Sequence, residues 1–401
     1  MPEKITVDFF LSTRETPVIP QNPIWNRPLP LNRRHREMEA TTPDETAVTY
    51  GDYFTAVSTF LKKDRCRALN AALALKGNVA VDLKGVPAVA VFLVKHGAFY
   101  HPARITVKFG GAESSLVVNV AVSKSGRDHI KEEFFLLERL HPVFEQPVVP
   151  RVYYLDEIPT GSDKKLPMFI GQWFEGFCEF HISPGHPENR SNLIVWEQGG
   201  TNFFLTLKQA EDVYRQAAFI LTCGYGFFTF EQISAWHHAA GDFILKPIDS
   251  SRVDLRLITV RKYAPLVENT EPDPAMLIET LLLFLINLTI RNRVDRLDGT
   301  GALAWADDFA LKGTISGFFN GLHLIVDKEG LPETLPAEFR NYILAHSKKA
   351  LFDLFSAVVD GIPVISPEHV FIKKRLEKHV DLFSSFLSAG NRINPGDTDT
   401  T

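Results

Sequence analysis

Apolar residues recur at helical spacing from Tyr50 to Leu75 (Phe54, Val57, Phe60, Leu61, then Leu69, Ala72, Leu73), and the charged run Lys62-Lys63-Asp64-Arg65 interrupts them. Such spacing gives a helix one buried face, so one or two helices are expected to open the ordered chain. Beyond Val79 the period shortens toward two. Strand-like runs fall at Ala88–Lys95, Arg104–Phe109 and Leu116–Lys124, with turn residues His96-Gly97 and Gly110-Gly111 between them, which predicts consecutive antiparallel strands. Helical spacing returns over Arg127–Leu140, and Phe169–Phe174 is a further apolar strand after the turn Pro159-Thr160-Gly161-Ser162-Asp163.

Past Leu205 the pattern is mostly helical, over Leu207–Thr222, Met276–Arg293, Phe309–Leu322, Ala337–Val359 and Pro367–Leu387. The last of these has Ser366 as N-cap and Pro367 at its first position. One strand pair interrupts them, Phe243–Leu245 with Leu255–Val260. This order predicts an α+β fold of two lobes: a small antiparallel sheet with one helix, then a larger helical lobe carrying a short hairpin. The expected divisions are an extended or disordered arm over 1–48, the N-terminal helices and strand-rich lobe over 49–176, the helical lobe over 177–389 and a polar tail over 390–401. The arm reads so because Ser12 to Asp44 is rich in proline, arginine and asparagine and has no period.

Composition narrows the class. The chain has 401 residues, 45% hydrophobic and 23% charged, enough for a large core and unlike a disordered or fibrous protein. A net charge of -5 gives no reason to expect nucleic acid as the main partner. Cys66, Cys178 and Cys223 are odd in number and far apart, so no disulfide framework or CxxC pair is expected, and a reducing cytoplasm fits. The N-terminus lacks the long apolar stretch of a secretion signal. The apolar run Leu281–Ile290 falls short of the roughly 20 residues a membrane span needs, and reads as a core helix.

Alternation along Leu116–Lys124 puts Val118, Val120, Val122 and Lys124 on one face, and Glu133 shares a helix face with Leu136, Leu137 and Leu140. A lysine and a glutamate turned into one cleft can pair and hold phosphates; a solvated strand end and a solvated helix residue are the plainer alternative. His237, His238 and Asp242 have the chemistry of metal ligands, but neighbouring histidines on extended chain point opposite ways, and no HxH or HExxH spacing supports them. Cys223 sits in an apolar run where a small buried hydrophobe is the commoner role. The basic runs Arg33-Arg34-His35-Arg36 and Lys373-Lys374-Arg375 read as solvated faces. Of 31 phenylalanines, several are paired, and those the core does not absorb offer a docking patch for a protein partner, as does the N-terminal arm.

Taken in order, Ala121-Val122-Ser123-Lys124, the Glu133–Leu140 helix, Val149-Pro150-Arg151-Val152 and Met168-Phe169-Ile170-Gly171-Gln172-Trp173-Phe174-Glu175-Gly176 resemble the N-terminal lobe of protein-kinase-like folds, in the aminoglycoside phosphotransferase and choline-kinase branch. Trp236-His237-His238-Ala239-Ala240-Gly241-Asp242-Phe243-Ile244-Leu245 and Arg252–Val260 resemble its catalytic loop and following hairpin. The resemblance implies ATP, with or without Mg, held by Lys124, Glu133, Val122 and the hinge Gln172, Trp173 and Phe174. It also places His238 at the catalytic aspartate, Phe243 at the metal-binding asparagine and Thr259 at the metal-binding aspartate, so all three positions are changed. The glycine-rich turn is reduced to one glycine in His96-Gly97-Ala98-Phe99-Tyr100-His101-Pro102.

Phenylalanine cannot ligate magnesium, and a threonine hydroxyl is a weak substitute for a carboxylate. The expectation is a regulatory or nucleotide-binding pseudokinase. Two alternatives stand beside it: an atypical phosphotransferase using Asp242, Asp249 or Asp254 with His237 or His238 assisting, and an interaction module that binds no nucleotide.

Overall fold

The computed structural model describes residues 5–12, 16–31, 48–77, 88–97, 99–109, 112–144, 146–161, 164–188, 190–197, 200–234, 239–265, 267, 273–299 and 301–389. The chain is mixed α/β, with a largely antiparallel N-terminal sheet and a helical C-terminal region. It forms two compact units, residues 1–142 with 150–175, and residues 143–149 with 176–401.

The first unit holds strands β1 (Thr6–Leu11), β2 (Ala88–Leu93), β3 (His101–Phe109), β4 (Ala112–Val120), β5 (Val152–Pro159) and β6 (Lys165–Gln172), and helices α1 (Tyr50–Gly77) and α2 (Lys124–Leu140). The sheet order is β1-β2-β3-β4-β6-β5, with β1 parallel to β2 and the remaining neighbours antiparallel. Alternation sets its faces. Val89, Val91, Ile105, Val107, Leu116, Val118, Met168 and Ile170 pack into one core with Phe54, Val57, Phe60 and Leu61 of α1. The α1 break falls where the charged run predicted: Asp64, Arg65 and Cys66 are left-handed at φ 49, 58 and 62°.

The expectation of a loose arm is corrected for the part described. β1 joins the sheet, Val18 and Leu29 are buried, and Trp25, in a short 3-10 turn Pro23–Asn26, stacks near Phe54 with ring centroids 6.2 Å apart. Scattered apolar residues without a period suffice to anchor an irregular segment. Arg33-Arg34-His35-Arg36 and the 390–401 tail lie outside the described residues.

The second unit opens with a three-stranded sheet, β7 (Glu179–Ile182), β8 (Arg190–Trp196) and β9 (Phe203–Thr206), then α3 (Leu207–Cys223), β10 (Glu231–Ser234), α4 (Ala239–Asp242), and the hairpin β11 (Phe243–Pro247) with β12 (Val253–Leu257). β13 (Lys262–Pro265) returns to pair with β10. There follow α5 (Pro274–Arg291), the pair β14 (Val294–Arg296) and β15 (Leu303–Trp305), and helices α6 (Asp308–Glu329), α7 (Leu335–Ala345), α8 (Lys348–Asp360), α9 (Pro367–Lys373) and α10 (Leu376–Ala389).

Two expected long helices are each divided. Ser347 accepts from Ala350 N and starts α8 afresh, and α9 ends before Leu376 begins α10. The apolar run around Leu281 extends to 18 residues in α5, long and apolar enough by length and composition to cross a membrane. Half of it is buried inside the unit, with Leu281, Leu285 and Ile286 fully so.

The contact of α3 with α6 is set by glycine. Gly313, Gly317 and Gly321, four residues apart, lie on one face of α6. A Cβ at Gly313 or Gly317 would collide with the backbone carbonyl of Glu211 or Arg215, and one at Gly321 with the Thr222 side chain. Their missing side chains let the two helices approach backbone to backbone.

Candidate functional site

In the first unit the sequence-predicted phosphate-binding pair is not brought together. β4 ends at Val120, and Ser123 caps α2 by accepting from Gly126 N at 3.1 Å, so Lys124 is the first residue of the helix and not the end of a strand. Lys124 is exposed, whereas Glu133 is buried on the packed side of the same helix. Nine residues of helix separate them by about 13 Å along the axis and turn them about 180° apart, so they occupy opposite faces. Val122 is also displaced from the strand. It is buried in the sheet–α1 core, and its carbonyl accepts from Arg127 Nη1 at 2.5 Å.

The β2–β3 loop, which the sequence resemblance sets at the glycine-rich turn, is held by its own aromatic residues. Phe99 meets His129 of α2 edge-on at 5.8 Å, Tyr100 meets Phe169 at 6.4 Å, and the Phe99 carbonyl fills the space a Cβ at Gly126 would need. Gly97 N donates to Tyr100 O at 3.1 Å, closing the turn on itself. His101 is fully buried with Nε2 2.7 Å from Pro30 O, and burial pushes its imidazole down to about 4.

At the end of β6, Gln172 N donates to Arg151 O at 2.8 Å, and its Oε1 accepts from Arg151 N at 3.3 Å. Trp173 is half-buried and Phe174 buried. Sequence reasoning missed Arg104, whose guanidinium lies 4.8 Å from the Phe92 ring centroid and 6.0 Å from that of Trp173. The alternation of β3, with Ala103, Ile105 and Val107 inward, was the signal that turned Arg104 to the other face.

In the second unit the hairpin β11–β12 is gripped by a polar row on α3. Thr206 Oγ1 donates to Ser250 O at 2.7 Å, Gln209 Nε2 to Asp249 O at 2.6 Å, and Gln216 Nε2 to Val253 O at 2.6 Å, while Asp212 Oδ2 accepts from Val253 N at 2.9 Å. Cys178 and Leu245 exchange backbone hydrogen bonds on the other edge, at 2.8 and 3.0 Å. Phe243, at the position implied for a metal ligand, is fully buried, and Thr259 is half-buried in the segment after β12. Cys223 is chemically quiet, since burial pushes its thiol up to about 12.

Each carboxylate that the sequence offered as a replacement acid has its own arginine. Asp242 Oδ2 accepts from Arg261 Nη1 at 2.7 Å, Asp249 Oδ2 accepts from Arg252 Nε at 2.8 Å, and Asp254 Oδ2 accepts from Arg256 Nη2 at 2.7 Å. Asp249 also takes Ser251 N and Arg252 N, each at 2.8 Å, and these bonds hold its carboxyl well below the usual range. Asp254 is shifted the other way, because burial outweighs the nearby Arg256. Arg256 in turn sits over the Phe177 ring at 5.3 Å. Arg261 was missed because its 19-residue separation from Asp242 carries no local period.

His237 and His238 lie outside the described residues, and among the described residues no group of three metal-ligating side chains occurs. No family model matches the chain. No curated protein matches it either. Among solved structures, the PAN3 pseudokinase of Neurospora crassa is similar at 10% identity, with a TM-score of 0.27, over 81% of this chain and 70% of that one.

Proposed function

We propose that this chain is a kinase-like protein that does not transfer phosphate and works by binding, as a regulatory module. The order of its elements supports the kinase-like part of that reading: antiparallel strands, a helix, two more strands, then a helical unit with a hairpin behind its first long helix. One observation carries the loss of catalysis: Asp242, Asp249 and Asp254 are each bound by an arginine. A carboxylate whose oxygens are engaged by an arginine is less available to orient an acceptor hydroxyl or to ligate magnesium, and phosphoryl transfer depends on both roles. The self-packed β2–β3 loop adds to this, since its backbone is committed to the turn and to α2.

The test is ATP hydrolysis and thermal unfolding of the full chain, with and without magnesium. The reading expects no turnover and no magnesium-dependent rise in Tm. Turnover that requires magnesium and disappears in Asp242→Asn overturns it in favour of an atypical phosphotransferase. A magnesium-independent ATP shift that persists in Lys124→Ala and is lost in Arg104→Ala keeps the reading and assigns the nucleotide to the sheet face carrying Arg104; ligand bound only by the folded state raises stability by about 2.7 kcal/mol at a hundredfold excess over Kd.

A further inference from the structure

The run Lys373-Lys374-Arg375, expected to be a solvated face, is divided by the fold. Lys373 pairs with Asp360 at 2.8 Å, while Lys374, Arg375 and, one turn on, Lys378 line a pocket of about 740 Å³ lying wholly within the second unit. The N-terminal ends of α3 and α6 contribute Lys208 and Lys312, and the β14–β15 region contributes Arg293 and Trp305.

We propose that this pocket binds a small, multiply phosphorylated anion. Its lining holds six cationic side chains against three carboxylates, and two of those carboxylates are already engaged, Glu211 with Lys312 at 3.0 Å and Asp308 with Arg293 at 2.9 Å. Lys208, Lys374 and Lys378 have no carboxylate in ion-pair range among the described residues. The pocket therefore presents a surplus of positive charge that the fold does not neutralise.

The site is built rather than superficial. The Arg293 side chain is only 4% exposed and is fixed by Ala306 O at 2.9 Å, by Asp308 and by the Trp305 ring at 5.0 Å, which leaves a planar, oriented guanidinium in the lining. His379 is buried with Nε2 3.2 Å from Thr289 Oγ1, and its Nδ1 has no partner. α3 and α6 both begin in the lining and direct the positive ends of their dipoles to it; Asp307, at the N-cap of α6, makes no side-chain hydrogen bond to the first turn. Trp305, Phe309 and Phe386 supply an apolar bed for the carbon skeleton of the ligand.

The proposal rests on the second unit alone and is independent of the phosphotransfer reading. Its test is calorimetric titration of the full chain with pyrophosphate and with inositol hexakisphosphate at two salt concentrations. One saturable site is expected, weakened by salt, and weakened at least tenfold by the double reversal Lys374→Glu, Lys378→Glu. The same reversal at Lys131 and Lys328, outside the lining, is expected to leave it unchanged. Lys208→Ala, on a different helix, should weaken binding about threefold or more and guards against misfolding of the first variant. Flotation with vesicles carrying phosphatidylinositol bisphosphate separates a lipid headgroup from a free anion, since either source must lose binding in the double variant. No saturable binding of any probe, or equal loss in the control, overturns the proposal.

Discussion

Asp242 is ion-paired with Arg261: Nη1 donates to Oδ2 at 2.7 Å, Nη2 lies 2.5 Å from Oδ1, and only 1% of the Asp242 side chain is exposed. The pair joins the end of α4 to the segment before β13, and Ile258 N donates to Asp242 O at 2.8 Å beside it. Removing the arginine takes a compensating charge from a carboxylate held away from water. Arg261→Ala is expected to cost about 3–5 kcal/mol in urea unfolding. Asp242→Asn, which leaves no buried negative charge, should cost less, and the ordering of the two variants checks that the effect is electrostatic.

Gly317→Ala on α6 should destabilise by about 1–3 kcal/mol, because its Cβ meets the Arg215 carbonyl of α3, a backbone atom that cannot turn aside. The gain of about 1 kcal/mol that alanine brings to a helix interior works against this loss and does not cancel it. Ser316→Ala, one residue away on the exposed side, gives the reference variant, and thermal melts of the two should move in opposite directions or differ clearly in size.

Acid should weaken the first unit before its carboxylates titrate. Burial holds His101 neutral in the folded chain down to about 4, whereas the unfolded imidazole takes a proton near its ordinary 6.5. The stabilisation is therefore complete above about pH 6.5 and lost as pH falls toward 4, amounting to about 3 kcal/mol. In the second unit His379 is also depressed by burial and acts there in the same direction. Asp156, Asp249 and Asp360 are depressed as well, but their stabilisation is present above their ordinary 3.8 and is lost only below it. Unfolding free energies at pH 7.5 and 4.5 should differ less in His101→Gln than in the parent chain.

Trp25→Ala should release the N-terminal segment without unfolding the sheet. The indole occupies the space beside Gly51 and contacts Phe9 and Phe54, with ring centroids at 5.8 and 6.2 Å. Limited proteolysis between residues 16 and 31 should become faster while the melting of the remainder changes little. Cleavage at the parent rate would show that Val18 and Leu29 anchor the segment unaided.

The periodic parts of this fold were legible and the irregular parts were not. Strands β2 to β4 and helices α2, α3, α5 and α6 announced themselves by apolar spacing, because burial of one face is a property of the segment itself. β7, β9, β14 and β15 did not, since three or four residues are too few to show a period, and the pairing of β10 with β13 joins segments some thirty residues apart; β5 and β8 are longer, but their half-buried positions blur the alternation. The placement of Lys124 failed for a local reason: Ser123 is a better helix cap than a strand residue, and capping won over alternation. Phe243 and Thr259 were readable in the sequence as departures from the resembled pattern, and Arg252 and Arg256 lie within three residues of Asp249 and Asp254; the pairing of Asp242 with Arg261 needed the fold to bring the two together. Of the paired phenylalanines, Phe134, Phe227, Phe318 and Phe319 entered the core, Phe204 is half-buried, and Phe135, Phe203 and Phe228 remain on the surface.

β1 runs parallel to β2, and the register that pairs Thr6 with Ala88 spans 82 residues of chain. A parallel pair cannot form from a hairpin, so during synthesis β1 has no partner until the 82 residues that separate Thr6 from Ala88 have been made. β1 is thus made before β2, β3 and β4 but joins the sheet after them, since those three can begin it as neighbours. Until then its apolar face, Phe9 and Leu11 included, is open to other chains, which makes the interval of synthesis between β1 and β2 the period in which a holding chaperone has most to do.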